Sequence, residues 1–154
     1  VAAELRQRSY ATFRITLRNQ EALQVNFLHL DADLKREVRQ LAQFWGNEIT
    51  DKAVELAPFG EPGVDPPWHP GFLKENIEVR FSKSGYAFEV GCWAEPFDAI
   101  GENLYAIFQE YGTSRHPAQP FLNPAYEWGA PKYTQALQLL LKSMAKEYGA
   151  PGSG

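Results

Sequence analysis

Three histidines and one cysteine are the residues of this 154-residue chain best suited to acid–base, nucleophilic or metal chemistry. Their spacing argues against all three. His29, His69 and His116 stand in separate segments, none at a metal-ligand interval from another ligand. A zinc site needs three or four such groups converging on one point. Cys92 belongs to no CxxC pair, and a nucleophilic cysteine needs a histidine within hydrogen-bond reach. At the end of an apolar run beside Trp93, it reads better as a small half-buried apolar residue. No serine lies in a GxSxG setting, and the glycines form neither GxGxxG nor a phosphate-binding loop. Glu95, Asp98 and Glu102 cluster, but at intervals that match no EF-hand, so they read as a solvated loop. The sequence shows no recognisable catalytic set, metal set or cofactor cradle; a small hydrolase using Cys92 or a loop histidine with a loop carboxylate is the enzymatic alternative.

The loop aromatics pose a different question. Phe59, Trp68, Phe72, Trp93, Phe97 and Phe121 all fall in or beside predicted loops. Aromatics placed there either anchor a partner surface or fold back onto a sheet, and on sequence alone the two readings stand level. Trp68 and Phe97, each deep in its loop, are the candidates for partner contact.

Composition narrows the classes. Hydrophobic residues make up 44% and charged residues 22%, enough apolar material for a core and too little charge for a disordered chain. The net charge of −4 disfavours binding to duplex DNA by phosphate neutralisation. A local basic patch remains in Arg6, Arg8, Arg14 and Arg18, against Glu4 alone. A single cysteine permits no intrachain disulfide, and nothing points to an oxidising compartment. No apolar run approaches the length of a membrane span, and the first residues lack a signal-peptide pattern.

The elements that position these residues follow from periodicity. "TFRITLR" (Thr12 to Arg18) alternates apolar and polar residues and predicts a half-buried strand. "NQEALQVNFLHL" predicts a short helix or turn capped by Asn19. Asp31 or Asp33 caps a long helix to about Ala57, whose apolar stripe is Leu34, Val38, Leu41, Ala42, Trp45, Ile49, Ala53 and Leu56. Gly46 lies inside it at a cost of about 1 kcal/mol relative to alanine. "PFGEPGVDPPWHP" holds five prolines and two glycines and reads as a stiffened loop. "GFLKENI" reads as one helical turn, and "IEVRFSKSGYAFEVGC" as a hairpin turning at "SKSG". "WAEPFDAIGEN" is a second loop. "LYAIFQEYG" is apolar, strand or short helix, and is placed in the expected order as a strand. A last helix runs from about Pro124 to Tyr148, with Pro131 interrupting its start. The expected order is strand, long helix, hairpin, strand, long helix. That is α+β: a small, mostly antiparallel sheet packed against two long helices, with extended loops. Residues 1–148 read as one domain and 149–154 as a flexible tail.

One stretch concentrates unusual residues. In "YAIFQEYGTSRHPAQPFLNPA" (Tyr105 to Ala125), Glu110-Tyr111-Gly112-Thr113 reads as a strand ending in a turn, where glycine takes positive φ. Thr113 and Ser114 are placed to bond the backbone and hold that turn. Pro117 and Pro120 are expected to keep "SRHPAQP", Ser114 to Pro120, extended. Phe121 and Leu122 are placed to anchor the next helix in the core. The crest between, with Ser114, Arg115, His116 and Gln119, is left as a projecting contact surface.

Taken together these segments resemble the neck or tail-completion proteins of long-tailed bacteriophages, the small head–tail joining proteins. The resemblance rests on Ala57-Pro58 closing a long helix, then on Gly71, Leu73, Lys74 and Ile77. It continues with Tyr105-Ala106, Glu110-Tyr111-Gly112-Thr113, and Pro120-Phe121-Leu122 with Pro124-Ala125. It covers roughly residues 31–148. Pro70 stands where that family usually has threonine, Asn76 where it often has serine, and both long loops exceed the usual links. The resemblance implies a structural, non-enzymatic virion protein, assembled in the bacterial cytoplasm. It implies a homo-oligomeric ring in the neck, between portal-side or head-closure proteins and tail-terminator or tail-tube proteins. Genomic DNA would pass through the lumen without specific binding, which a net negative charge suits. Neither a cofactor, a metal nor a membrane is implied. Tail terminator and head-closure protein are the near alternatives; a small binding module for peptide or single-stranded nucleic acid is the alternative of another class. Under the resemblance the assembly contacts are Tyr111, Gly112, Thr113, Ser114, Arg115, His116 and Gln119, with Trp68 and Phe97.

Overall fold

A computed structural model describes residues 3–7, 12–17, 32–60, 70–93 and 104–147. The helix or turn expected over residues 19–30 lies outside the described residues, as do Trp68, Phe97, His29, His69 and the acidic loop residues Glu95, Asp98 and Glu102.

Four strands form one antiparallel sheet: β1 (Ala3–Gln7), β2 (Thr12–Leu17), β3 (Ile77–Phe81) and β4 (Phe88–Cys92), in the order β1-β2-β4-β3. The chain is α+β as expected, with two long helices, α1 (Ala32–Leu56) and α4 (Leu122–Glu147). Between them lie α2 (Phe72–Asn76) and α3 (Leu104–Tyr111). Strand β1 was not expected; it pairs with β2, Glu4 opposite Thr16 and Arg6 opposite Arg14.

The expected fourth strand, "LYAIFQEYG", is instead helix α3. A short apolar run does not distinguish a buried strand from a helix by periodicity. What decides it is that Ala106 and Glu110, four residues apart, are the two positions it buries. Helix α4 also departs from expectation, beginning at Leu122 and running through Pro131 unbroken. Pro131 is exposed, and buried Gly129-Ala130 before it and Tyr133 and Leu137 after it hold both halves to the core.

Helix α1 buries Leu34, Val38, Ala42, Gly46, Ile49 and Ala53, one face at helical spacing. Leu56, expected on that stripe, is 37% exposed. The α1 face lies over β3 and β4, and α4 packs beside it, reaching β2. The inner face of the sheet carries Ile77, Phe88, Val90 and Cys92, all buried. Tyr133 of α4 meets Phe88 edge-on, with ring centroids 5.7 Å apart.

Two glycines set the spacing of these layers. At Gly46 a Cβ would stand 3.1 Å from the Phe81 ring and 3.2 Å from Val79, so its helical cost is offset by the close approach of α1 to β3. At Gly129 a Cβ would overlap the Ile49 side chain, so α1 and α4 cross there with no room for a methyl group.

Tyr133 is the one discord in this core. It is 1% exposed, and its hydroxyl has no hydrogen-bond partner among the described residues. Burial pushes its phenol up to about 12 from the ordinary value of 10.0. Below pH 10 the folded and unfolded chains both hold the proton, and the full stability is present. Between pH 10 and 12 only the unfolded chain loses it, so stability falls as pH rises, by about 1.4 kcal/mol per unit. Tyr133→Phe removes this component and an unpaired buried hydroxyl. Urea unfolding of the variant is expected to show equal or greater stability at pH 7, by about 1 kcal/mol, and a shallower loss above pH 10. Some alkaline loss persists, because burial also raises Tyr105 and Tyr126.

Candidate assembly surface

Helix α4 begins without a capping side chain of its own: its N-cap position is Phe121, preceded by Pro120. The first N–H groups of a helix need acceptors. They find them in Glu110, near the end of α3. One carboxylate oxygen, Oε2, accepts from the N–H of Phe121 at 2.8 Å and of Leu122 at 2.9 Å. The other, Oε1, accepts from Asn123 at 2.8 Å. Glu110 is 4% exposed, the one buried charged residue among those described. The positive end of the α4 dipole meets its charge.

Gly112 makes the return possible. It follows α3 with φ +75°, and its N–H closes onto Phe108 O at 2.8 Å, ending the helix in left-handed geometry. A Cβ there would stand 2.7 Å from the Ala118 nitrogen. The glycine is therefore required twice, by its backbone angle and by the backbone lying against it.

The crest beyond it is braced. Thr113 donates its N–H to His116 O at 2.8 Å, while its Oγ1 accepts from the N–H of Arg115 at 3.2 Å and His116 at 3.1 Å. Of the two hydroxyls expected to hold the turn, Thr113 does so. Residues 113–116 are a closed turn rather than the extended arm expected from the prolines. Gln119 then donates its N–H to Gln109 O at 2.7 Å, tying the returning strand back to α3.

Rims and crest separate cleanly. Phe121 is fully buried and Leu122 is 2% exposed, anchoring the α4 side. Residues 113–120, including Ser114, Arg115, His116 and Gln119, are all exposed. On α3 the neighbouring Phe108 and Tyr111 are 45% and 50% exposed. Spaced by three, they share a helix face. The α3 register was needed to see this pair. The crest is thus a preordered surface with aromatic flanks and a cationic tip.

The loop aromatics divide. Phe72 is buried against Tyr105, centroids 6.1 Å apart, and Phe121 is core. Trp93 lies under the Arg80 guanidinium, 4.1 Å from its ring centroid. Phe59 is 63% exposed, yet its carbonyl accepts the Gly71 N–H. Gly71 itself has φ +89° at the start of α2. In the sheet register Arg80 stands opposite Glu89, Glu89 opposite Arg14, and Arg14 opposite Arg6.

Cys92 is 3% exposed, on β4 opposite Ile77, and belongs to the core cluster. Among the described residues no group of three His, Cys, Asp or Glu is placed to hold a metal ion, and no helix is long and apolar enough to cross a membrane. No protein-family model, curated protein or solved structure matches the chain.

Glu110→Ala leaves three helix N–H groups without their acceptor. It is expected to destabilise the chain by about 3 kcal/mol, read by urea unfolding. Glu110→Gln keeps the shape but loses the charge and turns an amide toward the same donors, and should lose a substantial part of that. A loss under about 0.5 kcal/mol in Glu110→Ala would show that the cap carries little of the fold.

Proposed function

We propose that this protein is a structural component of the head–tail neck of a tailed bacteriophage or phage-like particle. Its copies assemble into a ring that joins the portal or head-closure side to the tail. Tail terminator and head-closure protein are the neighbouring roles in the same connector. The observation that carries the reading is the crest: a cross-braced turn, held out from the core by a buried carboxylate, with Ser114, Arg115, His116 and Gln119 exposed. A surface already ordered before contact loses less entropy on docking.

The segments behind the family resemblance lend further support. Ala57-Pro58 follow the end of α1; Gly71 and Leu73 shape and anchor α2; Glu110 and Gly112 build the crest; Phe121 and Leu122 seat α4. Each has a physical reason to be that residue, and together they are the joints of one architecture. The net charge of −4 gives a single-strand binding module less to work with, because such a module wants a continuous basic groove. In the proposed role the protein needs no cofactor, metal or membrane, and DNA passes the ring without specific contacts.

Light scattering over a concentration series, followed by electron microscopy of the largest species, tests this. Closed rings of uniform copy number are expected. Joint replacement of Arg115 and His116 by alanine should leave the melting temperature of the monomer within about 2 °C and weaken assembly, since both side chains are exposed. Unfolding of that variant would make the crest structural and sink the reading.

A further inference from the structure

A ring of identical copies needs two different surfaces per copy, because a head-to-tail contact joins unlike patches. The crest is one. The second can be sought on the same chain by charge and by exposure.

Between Tyr111 and Pro120 there is no acidic residue, and the crest presents Arg115 and His116 beside exposed Phe108 and Tyr111. The complement lies on the solvent face of α1. Phe44, Glu48, Asp51 and Glu55 follow one another at steps of four, three and four, which align them in one stripe. Phe44 is 54% exposed. Two cations stand at the Glu55 end of the stripe: Lys52 pairs with Glu55 at 2.8 Å, and Lys74 Nζ reaches the Glu55 carbonyl at 3.5 Å. Glu48 and Asp51 have no ion-pair partner among the described residues. One patch is thus aromatic and cationic, the other aromatic and anionic, with Phe44, Asp51, Glu55, Phe108, Tyr111, Arg115 and His116 exposed and Glu48 half-buried.

We propose that the crest of one copy docks on this α1 stripe of the next, Arg115 toward Asp51 and Glu48, Phe108 and Tyr111 toward Phe44. The inference rests on the ring reading above and names its contact. The occupant is a second copy, because complementary charge and matching exposed aromatics occur on the one chain. The charged groups orient the approach, and the aromatic faces supply the apolar burial. Assembly driven this way weakens as salt screens the charges.

Charge exchange tests the contact by sedimentation or light scattering, with the melting temperature as the check on folding. Arg115→Glu and Asp51→Arg, each alone, should weaken assembly roughly tenfold or more. The two placed in one chain should recover most of the loss, because every interface then regains an opposite-charge pair with its polarity reversed. If wild type forms rings but the pair fails to recover, or Asp51→Arg has no effect, the ring reading survives and this contact is overturned. If the wild-type chain stays monomeric at every concentration reached, the ring reading falls, and the contact with it.

Discussion

The interaction on which the rest of this structure depends is a single carboxylate bonded to three backbone N–H groups. Glu110 sits on α3 and caps α4, so it fixes the end of one helix to the start of another across an intervening loop. A charge this deeply buried is tolerated only where it is bonded and its field is met. Three N–H donors at the positive end of a 26-residue helix meet both needs. Glu110 therefore belongs to the architecture, and a reading of buried carboxylates as acid–base catalysts does not apply to it.

Everything distal to that cap follows from it. With α3 and α4 locked together, the residues from Tyr111 to Pro120 must leave one helix and rejoin the next over a short span. Gly112 supplies the backbone angle, Thr113 closes the turn and Gln119 ties the return to Gln109. The side chains left over, Arg115 and His116 above all, are exposed beside a core that does not need them. Below the joint, Gly46 and Gly129 let α1 approach both the sheet and α4, so the platform carrying the crest is densely packed. A stiff platform with an exposed, ordered tip is what the proposed role in assembly calls for.

The long elements were legible in the sequence because their periodicity is long. The α1 stripe spans about seven turns, and the β3–β4 hairpin alternates around an obvious turn, so both appear close to where they were expected. Helix α3 was not legible, since "LYAIF" satisfies a strand and a helix alike; only the burial of Ala106 with Glu110 separates them. The site was half legible. Arg115 and His116 stood out as polar residues between a glycine and a proline, and Phe121 and Leu122 as anchors. The role of Glu110 was hidden because a capping bond to a residue eleven positions away is a tertiary fact. Two signs were nevertheless present: an acidic residue inside an apolar run, and a helix starting at Pro-Phe-Leu with no Ser, Thr, Asp or Asn at its cap. Strand β1 was hidden for another reason: its stretch is marked by arginine charge, while its pairing with β2 is set by tertiary register.

The most direct test of the central claim, that the capped joint holds the crest ordered in the isolated chain, is residue-resolved amide hydrogen exchange on the wild-type monomer. The N–H groups of Thr113, Gln119, Phe121, Leu122 and Asn123 are each donated to a named acceptor. Phe121, Leu122 and Asn123 are expected to be protected comparably to the core amides of α1, with Thr113 and Gln119 slowed well below unstructured peptide rates. Exchange of all five at peptide rates while α1 stays protected would contradict the claim, leaving the crest an unbraced loop.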